Sequence, residues 1–119
     1  YDGRPSSLYA AKMFSYLFAD LQDLPIEVFT VKDYYMASLN LPNNKLMREF
    51  IKRHFKNATY TVVKGNVEEN VMAHLSNHNE NDLVVAGAYQ RGDISRFFRT
   101  SIADVLMKEI DTPLFIAHK

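Results

Sequence analysis

Short apolar strand segments alternate with amphipathic helical segments along the chain, and this alternation constrains the fold more than any other feature of the sequence. The chain opens with a helix, continues through three strand–helix pairs and closes with a strand. Strands that alternate with helices form parallel sheets, because each right-handed crossover places its helix on a face of the sheet. The alternation therefore predicts a single α/β domain.

The individual segments follow from periodicity and punctuation. The opening helix is predicted in SSLYAAKMFSYLFADLQ, where apolar residues recur at helical spacing after Pro5. Strands are predicted in PIEVFTV, ATYTVV, DLVVAGA and TPLFIAH, and a helix in NNKLMREFIKRHF. Two further helices are predicted to begin at Asn66 and Ser101, because Glu69 and Asp104 follow at capping-box spacing. The unbroken apolar run DLVVAGA is typical of a strand covered on both faces.

Size and composition exclude several classes of function. The chain has 119 residues, of which 47% are hydrophobic, which suits one soluble domain. Fourteen basic side chains balance fourteen acidic ones, so no long-range field attracts nucleic acid or an anionic membrane. The absence of cysteine excludes disulfides and thiolate chemistry and fits a reducing, cytoplasmic location. No apolar run approaches the ~20 residues of a membrane span.

The start of the chain predicts an incomplete sheet. A helix that begins near Ser6 leaves four strands, and the opening letters YDG resemble the end of a fifth. The first strand of a doubly wound sheet is central, so its loss would orphan ladder groups on both neighbours. We therefore expect residues to precede Tyr1 in the natural protein.

Three segments together resemble the universal stress protein family. They are YDGRPSS, KGNVEENVMAHL and DLVVAGAYQRGDISRFFRTSIADVLMKEIDTPLFIA. The resemblance covers nearly the whole chain and is most specific from Asp82 to Lys119. It implies a Rossmann-like three-layer sandwich with a five-stranded parallel sheet in the order 3-2-1-4-5. The first strand would be largely missing from residues 1–119, as in the second half of a tandem protein.

The resemblance also implies a phosphate loop, and this chain departs from its pattern. Nucleotide-binding members carry G-x2-G-x9-G-[ST], in which bare backbone approaches the phosphates and a helix start solvates them. The pattern falls on Gly87, Gln90, Thr100 and Ser101, so two of the three glycines are replaced by larger residues. A β-branched residue such as Thr100 is a poor substitute where positive φ is needed.

Two interpretations of this loop stay open. Arg91, Arg96 and Arg99 bring positive charge, and guanidinium groups are good phosphate ligands, so a degenerate anion site is one interpretation. The other is a surface loop without a ligand, which we favour slightly; we therefore expect no cofactor, with ATP and Mg²⁺ as the alternative. By resemblance, Asp2 and Val31 would lie near an adenosine, although a cap or turn role for Asp2 is equally expected.

The remaining candidate motifs favour structural roles. His74 and His78 have the spacing of a helical metal pair, but a third ligand is missing from the sequence nearby. The helix KLMREFIKRHFK is basic on one face, which is more typical of a solvated surface than of a nucleic-acid site. The sequence contains no nucleophile elbow and no Walker lysine motif, so we expect a protein that is not an enzyme.

The closing strand predicts an association surface. Leu114 to Ala117 are apolar, and an edge strand of this kind needs cover. By resemblance it pairs with its twin in a homodimer or with a tandem domain of the same chain. The leading expectation is a non-catalytic stress-response regulator; an ATP-binding or slowly ATP-hydrolysing switch and a module for another small adenylated or anionic molecule are the alternatives.

Overall fold

The computed structural model describes residues 1–32, 44–77, 82–87 and 111–117. These ranges contain three α-helices, a 3₁₀ turn and four strands. In chain order they are α1 (Pro5–Leu17), the 3₁₀ turn (Ala19–Leu21), β1 (Ile26–Lys32), α2 (Asn44–His54), β2 (Ala58–Lys64), α3 (Val67–Ser76), β3 (Val84–Gly87) and β4 (Leu114–Ala117). Each element lies in a segment where the sequence predicts it.

Local signals explain where the helices begin. Pro5 occupies the first turn of α1, where its missing N–H costs nothing, and Arg4 before it is extended. The side chain of Asn66 accepts a hydrogen bond from the backbone N–H of Glu69 at 3.0 Å, so the predicted cap of α3 is confirmed. Glu68 and Glu69 in the first turn of α3 also complement the helix dipole.

The strands pair in parallel, which confirms an α/β protein with parallel strands. β1 pairs with β2 from Ile26↔Ala58 to Lys32↔Lys64, and β3 pairs with β4 from Val84↔Leu114 to Gly87↔Ala117. Within the described ranges these are two separate two-stranded sheets, and the predicted five-stranded sheet is not observed.

The core lies between α1, α2 and the sheets. Phe14 of α1 and Met47, Ile51 and Phe55 in and after α2 form a buried cluster. Phe115 of β4 joins it with its ring edge-on to Phe14 at 5.7 Å between centroids. α1 lies against β3 and β4 and also contacts α2, so this helix connects the two halves of the molecule.

β3 is less buried than its apolar sequence predicts. Leu83 and Val85 are 40% and 36% exposed, whereas a strand covered on both faces would bury them. Within the described part of the chain, β3 pairs only with β4. None of the helices in the described ranges is long and apolar enough to cross a membrane.

Candidate functional site

The amino-terminal turn of α1 meets the end of β3 backbone to backbone. A Cβ added at Gly87 would lie 2.5 Å from the carbonyl carbon of Ser6 and 2.7 Å from the backbone nitrogen of Ser7. No side chain fits at such distances, so glycine is required here by packing. The structure thus supplies a reason for Gly87 that involves no ligand.

Asp2 closes the same turn. Its Oδ1 accepts a hydrogen bond from the backbone N–H of Arg4 at 2.9 Å and another from the hydroxyl of Ser7 at 2.8 Å. Gly3 between them has φ 83°, a conformation that favours glycine, and this lets the chain fold back onto the helix. A carboxylate beside a helix amino terminus is also favoured by the dipole. Of the two roles expected for Asp2, the structure shows the turn role, and the contact with an adenosine stays a prediction.

Tyr1 attaches this turn to the edge of β1. Its amino group donates a hydrogen bond to the carbonyl oxygen of Phe29 at 2.6 Å. Burial lowers the pKa of that amine from its ordinary value of 8.0, and nearby Asp2 opposes the shift. Burial and then the charge of Asp2 raise the pKa of the Tyr1 phenol. Val31 lies two residues beyond Phe29, so its backbone groups face the same edge.

The structure therefore brings two of the predicted site residues together. Asp2 and Gly87 flank the first turn of α1, and Val31 lies near the carboxyl end of β1. The other predicted residues of the loop lie outside the described residues, and their predicted roles stay predictions: Gln90, Arg91, Arg96, Arg99, Thr100 and Ser101.

The sequence did not predict a cavity that lies on the face of β1 formed by Val28, Thr30 and Lys32. It has a volume of about 230 Å³ and lies between the amino-terminal half of α2 and the β1–β2 pair. Thr30, Lys32 and Arg48 contribute its polar lining, and the side chain of Thr30 is only 3% exposed. Alternate residues of a strand share a face, so Val28, Thr30 and Lys32 could have been grouped from the sequence. Their position under α2 could not, because it depends on the crossover.

A hydrogen-bonded cluster attaches α3 to the face of β1 that lies opposite the cavity. His74 Nε2 lies 2.8 Å from Glu27 Oε2, and the hydroxyl of Thr61 donates to Glu27 Oε1. The imidazole stacks on the Phe29 ring with 3.9 Å between centroids. His74 thus contributes to the attachment of α3 to β1. Its predicted partner His78 lies outside the described residues, and within those residues no three metal-binding side chains converge.

β4 presents one anchored and one exposed apolar side chain. Phe115 packs edge-on against the rings of Phe14 and Phe18, with centroids 5.7 and 5.5 Å away. Ile116 is 39% exposed, while Ala117 is buried. Only β3 pairs with β4 among the described residues, so the outer edge of β4 has no strand beside it there.

The described residues define an α/β protein with parallel strands and a tightly built turn at the strand ends. No protein-family model matches the chain, and no curated protein or solved structure shows significant similarity to it.

Proposed function

We propose that this chain is a non-catalytic regulatory domain of the universal stress protein type, which works by association through β4. The partner of β4 would be a second copy of the same strand, supplied by another chain or by a tandem domain. The observation that carries the proposal is the position of β4, which ends a parallel pair and exposes Ile116.

The pairing of the strands supports the finer fold. A sheet in the order 3-2-1-4-5 that lacks its first strand is left with two pairs, 3-2 and 4-5. The observed pairs β2–β1 and β3–β4 match these two when β1 to β4 are taken as the second to fifth strands of that order, and both are parallel. The bond from Tyr1 to Phe29 lies on the side of β1 that faces away from β2, where the first strand would run. We propose the Rossmann-like five-stranded sheet on this basis.

The geometry of β4 favours association by strand pairing. Phe115 holds the strand on α1, so the backbone is preorganised and a partner strand need not order it. A second β4 placed alongside would supply ladder hydrogen bonds to the open edge and cover Ile116. Open edges of this kind are normally protected in natural proteins, and symmetric pairing is one protection.

The strand-end turn favours regulation by association over nucleotide switching. Gly87 is explained by its contact with Ser6, and Asp2 by its bonds to Arg4 and Ser7. Neither residue needs a nucleotide to account for it.

Light scattering on the purified chain tests this function. The wild type is expected to be dimeric, and Ile116→Lys is expected to shift it to monomer because an ammonium cannot be buried unpaired in the seam. Leu46→Lys is the matched control, since Leu46 is 56% exposed on α2, away from β4, and should stay dimeric. A wild type that is monomeric at all concentrations, or a folded Ile116→Lys that is still dimeric, would contradict the proposal.

The alternative function is an ATP–Mg²⁺ switch, and one observation favours it. The amino terminus of α1 meets the carboxyl end of β3, which is where doubly wound proteins bind phosphates. Such a switch would gain about 2.7 kcal/mol of stability at a hundredfold excess of ATP over its dissociation constant. Arg99→Ala would abolish that gain and Arg53→Ala on α2 would preserve it. The regulatory function predicts that millimolar ATP does not shift the melting temperature of the wild type, of Arg99→Ala or of Arg53→Ala.

A further inference from the structure

The cavity under α2 has both apolar and cationic side chains in its lining. Val28 of β1, Val62 of β2 and Met47 of α2 supply the apolar wall. Lys32 and Arg48 also line it, and within the described residues no acidic side chain does. The lining is therefore arranged for a molecule with an apolar body and a negative group.

A largely buried threonine lies in the wall of this cavity. Thr30 is 3% exposed, and within the described residues no buried side-chain oxygen or nitrogen lacks a hydrogen-bond partner. Because a hydroxyl can both donate and accept, Thr30 offers a ligand in the cavity one further polar contact.

An aromatic contact preorganises Arg48. Its guanidinium lies over the Tyr60 ring at 4.5 Å from the centroid, which limits the conformations of a long side chain. Asn44 at the start of α2 also lines the cavity, and the first-turn N–H groups of a helix attract anions. Both features add positive potential to the lining.

We propose that this cavity binds a small organic anion, whose acidic group meets Arg48 and the start of α2 and whose apolar part lies against Val28 and Met47. The shared chemistry is that of a carboxylate or phosphate monoester on a small apolar body. The volume of about 230 Å³ lies below the ~300–1,000 Å³ of pockets that hold drug-sized ligands, so the cavity suits a small molecule. The site is thus separate from the strand-end turn and independent of association through β4.

The test uses benzoate and phenyl phosphate as probes, with benzyl alcohol as the neutral match and inorganic phosphate as the anion without an apolar part. Backbone amide shifts of the labelled chain are followed by NMR during titration. At least one organic anion is expected to cause saturable shifts at Thr30, Arg48 and Val62. Benzyl alcohol and inorganic phosphate are each expected to bind at least about tenfold more weakly than the organic anion. Benzyl alcohol lacks the negative group, and inorganic phosphate lacks the apolar part.

Two variants with matched controls locate the binding. Arg48→Gln is expected to weaken the organic anion about tenfold or more, while Arg53→Gln on the exposed last turn of α2 leaves it unchanged. Thr30→Val is expected to weaken it about two- to tenfold, while Thr59→Val on exposed β2 has no effect. Absence of saturable shifts with either organic anion at millimolar concentration, equal binding of inorganic phosphate, or unchanged affinity in Arg48→Gln would each overturn the proposal.

Discussion

Gly87 and Asp2 show how a residue can match a binding motif and also have a structural reason. The backbone of Ser6 occupies the place that a Cβ of residue 87 would need. The Asp2 carboxylate is engaged by Arg4 and Ser7 within its own turn. Residue type alone could not separate these roles from ligand contacts, because the contact between positions 6 and 87 arises only in the folded chain.

Gly87→Ala is expected to lower the free energy of unfolding by about 1–3 kcal/mol or more, because the new methyl group meets backbone atoms. Chemical denaturation measures the change. Ser6→Ala is the control, and it should destabilise the chain less than Gly87→Ala does. The double variant Ser6→Ala/Gly87→Ala should be no more stable than Gly87→Ala, because the clash involves the main chain of Ser6 and not its side chain. Wild-type stability in Gly87→Ala, accompanied by loss of ATP binding, would assign Gly87 to a phosphate loop instead.

The buried amine of Tyr1 predicts a pH dependence of stability. Burial lowers its pKa below 8.0 in the folded chain, so between the lowered value and about 8 the unfolded chain binds more protons. The free energy of unfolding should therefore rise as the pH increases through that window. Denaturant titrations from about pH 6 to pH 9 on a chain with a free amino terminus at Tyr1 measure the slope.

Acetylation of Tyr1 provides the control for this pH dependence. The acetylated chain keeps an N–H that can donate to Phe29 but no longer titrates, so the contribution of the amine should vanish. A slope that is the same in both chains, or one of opposite sign, would contradict the assignment.

At the scale of elements, the sequence predicted what local chemistry determines. The cap of α3 depends on Asn66 and the amide three residues on, and it was predicted from their spacing. The burial of β3 was predicted less well, since the exposure of Val85 depends on what covers its face of the strand, which only packing determines. The cavity was missed for the same reason, because Arg48 and Thr30 belong to different elements that only packing brings together.

α3 depends on polar and aromatic contacts because none of its side chains is fully buried. His74→Ala removes the stacking on Phe29 and the hydrogen bond to Glu27, so α3 should open more readily. We expect amide exchange in α3 to accelerate about five- to thirtyfold, which corresponds to a local loss of about 1–2 kcal/mol. Hydrogen exchange followed by NMR resolves this helix from the others.

His54→Ala is the matched control for that experiment. Its ring also stacks on a phenylalanine, Phe50, at 4.2 Å, and its Nδ1 lies 2.9 Å from the Phe50 carbonyl oxygen, but both partners belong to α2. Exchange in α3 should therefore be unchanged in His54→Ala. Equal acceleration in the two variants would show that the His74 contacts do not hold α3 on the sheet.

At the scale of the whole molecule, the two sheets are connected mainly through α1. This helix lies on β3 and β4 and touches α2, and Tyr1 before it binds the free side of β1. The sequence predicted parallel strands and the order of the elements, since both follow from alternation. Within the described residues the strands form two separate pairs without direct pairing between them.

A strand added before Tyr1 is expected to join the two pairs into one sheet. The bond from Tyr1 to Phe29 shows where such a strand would continue along β1, and each ladder bond formed would contribute about 0.5–1.5 kcal/mol. An extension rich in Val and Ile should therefore raise the free energy of unfolding and protect the amides of Phe29 and Val31 from exchange. A Gly/Ser extension of equal length separates pairing from mere added length, because it has little tendency to form a strand. Both extensions could instead leave the backbone amides of β1 and β3 equally open to hydrogen exchange. In that case no central strand runs between the two pairs, and the sheet order 3-2-1-4-5 is wrong for this chain.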